Sequence, residues 1–185
     1  NDALDKLEQE AGALVTTGTG KYFSNGLDLD WLGRNGDRFE AYLGDVHALY
    51  TRFLTLPLPT IAALNGHAFA GGAMLALTHD FVVMREDRGW FCLPEVDLGM
   101  PFTPGMSALI QARLSKATAH EAMIGGRRYT APEAIAAGIA QRCAPEDGVL
   151  PAAIDWARTF ATKDGKNVAR IRKGMYGPVL DALAL

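Results

Sequence analysis

The sequence predicts an α/β domain, with strands and helices alternating in its first half and helices alone in its second. Three observations carry this. Short apolar runs of strand length recur at Ala13 to Thr17, Thr60 to Leu64 and Phe81 to Met84. Helix-period segments stand between them, the longest from Asp37 to Leu56. Beyond Ser107 the apolar spacing is helical almost throughout. Strands interleaved with helices build layered α/β folds, and the remaining helices form a tail.

In chain order, Asn1 to Glu10 reads as the end of an amphipathic helix, with Leu4 and Leu7 on one face. A helix that feeds directly into a buried strand suggests that further residues precede it. The strand Ala13 to Thr17 breaks at Gly18-Thr19-Gly20. The helix from Asp37 carries Phe39, Leu43, Val46, Tyr50, Phe53 and Leu54 at helical spacing and ends at Pro57 and Pro59. The strand Thr60 to Leu64 closes at Asn65-Gly66. A helix opening on small residues is expected over Ala70 to Asp80, a buried strand over Phe81 to Met84, and a brief strand over Trp90 to Leu93. Helices follow at Ser107 to Leu114, then from a Ser115 cap to Gly125-Gly126. Thr130-Ala131-Pro132-Glu133 is a capping box with proline in the first turn, and Gly138 ends that helix. Two more helices are expected near Val149 to Ala161 and Val168 to Leu183. Residues 1–145 form the expected core, and 146–185 a helical region of the same domain.

Composition narrows the function. The 185 residues are 49% apolar and 21% charged, with a net charge of −3. Basic residues are scattered, so no stripe suits a nucleic acid. No apolar run is long enough to span a bilayer, and the cytoplasm is the expected compartment. Cys92 and Cys143 belong to no CxxC pair and read as reduced thiols rather than a disulfide.

Three motifs carry chemistry. Lys21 to Leu29 (KYFSNGLDL) is a strand end that turns at Gly26, a residue free to take positive φ. Gly66 to Asp80 (GHAFAGGAMLALTHD) places Ala70, Gly71, Gly72 and Ala73 at a helix start, where backbone N–H groups lack internal partners and the helix dipole is positive. Leu93 to Gly99 (LPEVDLG) sets one carboxylate, Glu95, in an apolar segment bounded by proline and glycine.

These motifs, in this order and with GRRYTAPEAIAAGI after them, resemble the enoyl-CoA hydratase/isomerase (crotonase) family from about Ala13 to about Ala144. SNGLDL and the REDRG turn look most like its isomerases. The resemblance implies a spiral of ββα units with a helical C-terminal part, usually assembled as trimers or hexamers, with Trp156 and Phe160 offered for an interface. It implies no metal or redox cofactor: coenzyme A enters as part of an acyl-CoA thioester. It also implies an oxyanion hole from the N–H groups of Asn25 and Gly71, each contributing on the order of 3 kcal/mol in the transition state. Ser24, Gly26, Leu27, Asp28 and Leu29 would run beside the pantetheine arm. Phe69, Gly72, Met74, Leu98 and Phe102 would line the substrate site, and Lys173 would reach CoA phosphates.

Family hydratases place a second glutamate three residues after the oxyanion glycine, where this chain has Met74. Methionine cannot orient or deprotonate water. The implied mechanism is therefore double-bond isomerisation, with Glu95 moving a proton from C2 to C4 of a 3-enoyl thioester. Two alternatives stay open: hydration or another reaction of the family, and acyl-CoA binding without turnover.

Blander readings stand beside each residue. Glu95 alone could be a paired or solvated strand-end acid, Gly71 and Gly72 could serve helix packing, and Asp97 reads as a solvated or capping acid. His47, His67, His79 and His120 form no metal set, since Ile124 stands where a zinc helix needs histidine. Gly18-Thr19-Gly20 lacks the third glycine of a dinucleotide fingerprint, and Gly72-Ala73 replace the Lys-Ser/Thr of a P-loop. Ser24 and Ser107 have no evident histidine partner.

Overall fold

A computed structural model describes residues 2–10 and 12–184, with the side chains of residues 9 and 10 left out. The strands are β1 (Leu14–Thr17), β2 (Tyr22–Ser24), β3 (Thr60–Leu64), β4 (His67–Phe69), β5 (Phe81–Arg85), β6 (Phe91–Cys92) and β7 (Arg142–Ala144). The helices are α1 (Asp2–Glu10), α2 (Leu29–Arg34), α3 (Phe39–Thr55), α4 (Gly71–Leu77), α5 (Pro104–Arg113), α6 (Lys116–Gly125), α7 (Ala131–Ala136), α8 (Val149–Arg158) and α9 (Gly165–Leu183).

Odd and even strands part company. β1, β3, β5 and β7 form one parallel sheet in that order, and β2, β4 and β6 a second parallel sheet. Each turn of the chain thus lays one strand in each sheet before its helix, which is the ββα spiral that the motifs implied. A parallel sheet needs both faces covered. β3 is buried at all five positions, and its side chains alternate between two cores. Ala62 and Leu64 join Met74, Leu77 and Phe91 in the main core. Ile61 and Ala63 pack with Val83 against Val149, Ala153 and Ala157 of α8.

The tail is integral to this layering. α9 packs on α3 and α5, and a Cβ at Gly105 would stand 2.6 Å from Leu183, so glycine permits the close approach of α5 and α9. Arg172 of α9 is 3% exposed. It donates to the carbonyls of Leu56 (2.5 Å) and Leu58 (2.6 Å) and to both carboxylate oxygens of Asp80. Asp80 in turn accepts from the Thr60 N–H at 2.7 Å. Phe160 stacks on Phe81 of its own chain and Trp156 packs on it at a tilt, with centroids at 4.9 and 4.7 Å.

Several boundaries differ from expectation. α5 begins at Pro104 rather than Ser107, because Thr103 accepts from the Met106 N–H and caps it. α9 begins at Gly165 rather than Val168, with Asp164 as cap. α4 stops at Leu77 rather than Asp80, since Thr78 turns its hydroxyl back onto the Leu75 carbonyl and Asp80 is taken by Thr60 and Arg172. β4, β7 and α2 were not foreseen: at three to six residues they are too short to display a period. No helix among the described residues is long and apolar enough to cross a membrane.

Candidate active site

The even-numbered sheet delivers two chain bends to one place. β2 runs into the Asn25-Gly26 turn, and β4 runs into Ala70, whose φ of 48° is the one positive value at a non-glycine among the described residues. Holding alanine there costs about 1–3 kcal/mol. The Ala70 N–H bonds the Cys92 carbonyl at 3.0 Å, which anchors the bend to β6. Gly26 has φ 91°, and a Cβ on it would lie 3.1 Å from the Gly71 nitrogen. The two bends therefore touch, and only glycine fits between them. At Gly72 a Cβ would stand 2.3 Å from the Ser24 carbonyl oxygen, so glycine also lets α4 start against the end of β2. Among the described residues, neither the Asn25 nor the Gly71 N–H is consumed by a turn, cap or ladder bond.

A cavity of about 280 Å³ opens before these bends. The lining brings together Asn25, Leu27, Leu29, Phe69, Gly71, Met74, Glu95 and Leu98, all singled out from sequence. Ser24, Gly26, Asp28, Gly72 and Phe102 are not in it. The Ser24 hydroxyl accepts from the Gly26 N–H at 3.3 Å and braces the turn. Asp28 caps α2 through the Trp31 N–H at 2.8 Å. Phe102 packs on the main core. Gly26 and Gly72 act by letting backbones meet behind the wall. Lys173 is exposed on α9.

The lining also includes residues that sequence reasoning missed. Phe39 and Leu43 come from one face of α3, and Thr103 and Met106 from the start of α5. Met100 and Pro101 follow the PE motif directly, a local signal that could have found them. Thr103 is held from behind by His47, whose Nε2 lies 2.8 Å from its Oγ1.

Glu95 sits in the 3₁₀ turn Pro94–Val96, only 6% exposed. The Met100 N–H closes onto its carbonyl at 2.9 Å. Its Oε2 is buried without a hydrogen-bond partner among the described residues. Burial raises its pKa above the usual carboxylate range, against a smaller opposing pull from its own backbone N–H. Asp97 is exposed and lies toward Gly126. The site is thus an apolar cleft with two available N–H groups on one wall and a carboxyl on another. This arrangement can hold a carbonyl oxygen while a proton moves on neighbouring carbons. Among the described residues no group of three or more His, Cys, Asp or Glu could hold a metal ion.

Known proteins share this architecture. The chain is 40% identical over 188 residues to enoyl-CoA delta isomerase 3 of Arabidopsis thaliana, covering 94% of this chain and 79% of that one. It is 39% identical over 184 residues to the peroxisomal enoyl-CoA delta isomerase 2 of the same plant, covering 93% and 76%. The crystal structure of human mitochondrial delta3-delta2-enoyl-CoA isomerase superposes with a TM-score of 0.89 at 26% identity, over 99% of this chain and 73% of that one. The family model described as enoyl-CoA hydratase/isomerase matches residues 1–184, and with the two-sheet spiral and the cleft above it the chain belongs to this crotonase family of acyl-CoA enzymes.

Proposed function

We propose that the chain isomerises 3-enoyl-CoA to 2-enoyl-CoA, with Glu95 as the single acid/base. The N–H groups of Asn25 and Gly71 receive the thioester oxygen. Glu95 removes a proton from C2, the electrons spread over a dienolate, and the same carboxyl returns the proton at C4 while the double bond moves to C2–C3. The developing charge rests on the oxygen, where the two donors meet it.

The observation that carries this reading is the state of Glu95: buried, apolar-walled and with one oxygen unpaired. A carboxyl so placed has its proton affinity raised toward that of a useful base. Met74 supports isomerisation over hydration, because the cavity wall beside the glycine bend offers water no acid at that point. The isomerases among the relatives support it as well. A second reading, hydration, draws on Thr103, a cavity-wall hydroxyl paired with His47 and able to hold a water molecule.

Two assays decide. Purified protein is expected to convert 3-hexenoyl-CoA to the 2-enoyl product and to leave crotonyl-CoA unhydrated. Fast hydration with no isomerisation would transfer the proposal to the second reading. Glu95→Gln is expected to lower kcat by about 10²- to 10⁴-fold with acyl-CoA affinity preserved. Full turnover in that variant would remove Glu95 from the mechanism.

A further inference from the structure

Helix α3 reaches both bends of the site with a tyrosine hydroxyl. Tyr50 is 2% exposed and donates its hydroxyl to the carbonyl of Gly71 at 2.8 Å. Eight residues earlier, about 12 Å along the helix, the Tyr42 hydroxyl accepts from the Asp28 N–H at 3.2 Å. Asp28 ends the turn that carries Asn25. The Tyr42 ring is itself held by Trp31, stacked at 5.5 Å.

We infer that α3 is the frame that sets the spacing of the two oxyanion donors, with Tyr50 positioning the Gly71 arm and Tyr42 the Asn25 arm. The inference rests on the oxyanion reading above and goes beyond it by assigning what holds the donors in place.

Three observations support it. First, a buried hydroxyl is costly unless bonded, and phenylalanine would fill the same space among Leu54, Met74 and the rest of the core. The hydroxyl therefore has a directional task, and its partner is a residue of the cavity wall whose N–H is unconsumed among the described residues. Second, the space around Gly71 is closed on both sides: a Cβ there would lie 3.2 Å from the Tyr50 oxygen and 3.3 Å from Leu27 Cδ2. Glycine, tyrosine and leucine thus fit as a set, and the Gly71 Cα, which joins the bonded carbonyl to the donor N–H, has little room to move. Third, Tyr50 feels the charge of Glu95: burial raises its pKa most, with Glu95 and then Tyr42 adding to the rise. The hydroxyl keeps its proton while the carboxylate is charged, so the bond to Gly71 persists through the proton transfer. Donors preorganised in this way stabilise developing charge without reorganising at the moment of reaction. Tyr50 and Tyr42 are positioning residues: neither touches substrate in this scheme.

The test uses Tyr50→Phe and Tyr42→Phe with two readouts. One is turnover of 3-hexenoyl-CoA. The other is the near-ultraviolet band of acetoacetyl-CoA, whose bound enolate reports oxyanion stabilisation without chemistry. Tyr50→Phe is expected to lower kcat about 10-fold with KM within about twofold, and to weaken the enolate band. Tyr42→Phe is expected to do the same to a smaller extent, about threefold. A Tyr50→Phe protein that melts earlier but keeps its kcat and its enolate band would overturn the inference, leaving the isomerase reading untouched. If Tyr50→Phe does not fold, an unchanged enolate band in Tyr42→Phe overturns it. A wild-type protein that isomerises 3-hexenoyl-CoA yet binds acetoacetyl-CoA without an enolate band would overturn the oxyanion reading and this inference together.

Discussion

Arg172 and Glu95 are both buried charged residues, 3% and 6% exposed, and they are treated in opposite ways. Every nitrogen of the Arg172 guanidinium has a partner: Nε on Asp80, Nη1 on Leu56, Nη2 on Leu58 and Asp80. Glu95 has a carboxylate oxygen with none among the described residues. The first charge ties α9 to the segments that lead into β3 and into β5. The second is left unsatisfied beside a cavity. A fully paired buried charge holds a fold in one arrangement, whereas an unpaired one stores free energy that a substrate can release.

This contrast makes crossed predictions. The largest effect is the loss of turnover in Glu95→Gln, about 10²- to 10⁴-fold, which should come without loss of stability. Arg172→Met is the opposite case. It leaves Asp80 without its cation in a half-buried site, and a loss of about 3–5 kcal/mol is expected from urea unfolding. Turnover per folded molecule should stay near wild type. An Arg172→Met protein as stable as wild type would show the clamp to be dispensable.

Removing both partners sharpens the point. Arg172→Met combined with Asp80→Asn should cost less than Arg172→Met alone, by about 1–3 kcal/mol, because no unpaired charge remains. Equal losses in the two proteins would mean that packing, not charge, matters at this site.

The smallest effect lies in pH dependence. Burial raises the Glu95 pKa in the folded state, so the folded protein binds that proton more tightly than the unfolded chain does. The stability this contributes is complete below the ordinary glutamate value and is lost as pH rises through the folded value. Glu95→Gln, which cannot ionise, escapes the loss. It should therefore melt above wild type at pH 8, with the gap closing as pH falls below the ordinary glutamate value. A variant that melts lower than wild type at pH 8 would mean that Glu95 is stabilised by partners and is not strained.

The contrast was only half legible in the sequence. LPEVDLG stood out because its chemistry is local: proline starts the turn, and one acid sits among apolar neighbours. The glycine cluster stood out for the same reason. Leu27, Leu29, Met74 and Leu98 could be assigned to the cleft because each lies within a few residues of those motifs. The opposite wall could not. Phe39, Leu43, Thr103 and Met106 have no local mark that separates them from other core positions, and they reach the cavity only because α3 and α5 fold over it. Phe102 packs on the main core and is not in the lining, a placement that no local pattern reveals. Tyr50 read as one more apolar position at helical spacing, and nothing local marked Arg172. Their partners lie 21 and more than 90 residues away in the chain.

The sequence by itself determined the alternation of strand and helix, the turns at Gly26 and Gly126, the capping box at Thr130, and the presence of Met74 where a second acid would stand. Those features depend on residues within a few positions of one another, where backbone sterics and local hydrogen bonds decide. Only the tertiary structure decided the parting of odd and even strands into two sheets, the meeting of Gly26 with Gly71, the desolvation of Glu95 and the pairing of Arg172 with Asp80. Burial and pairing are relations between distant segments, and their energies exist only once the chain has brought those segments together.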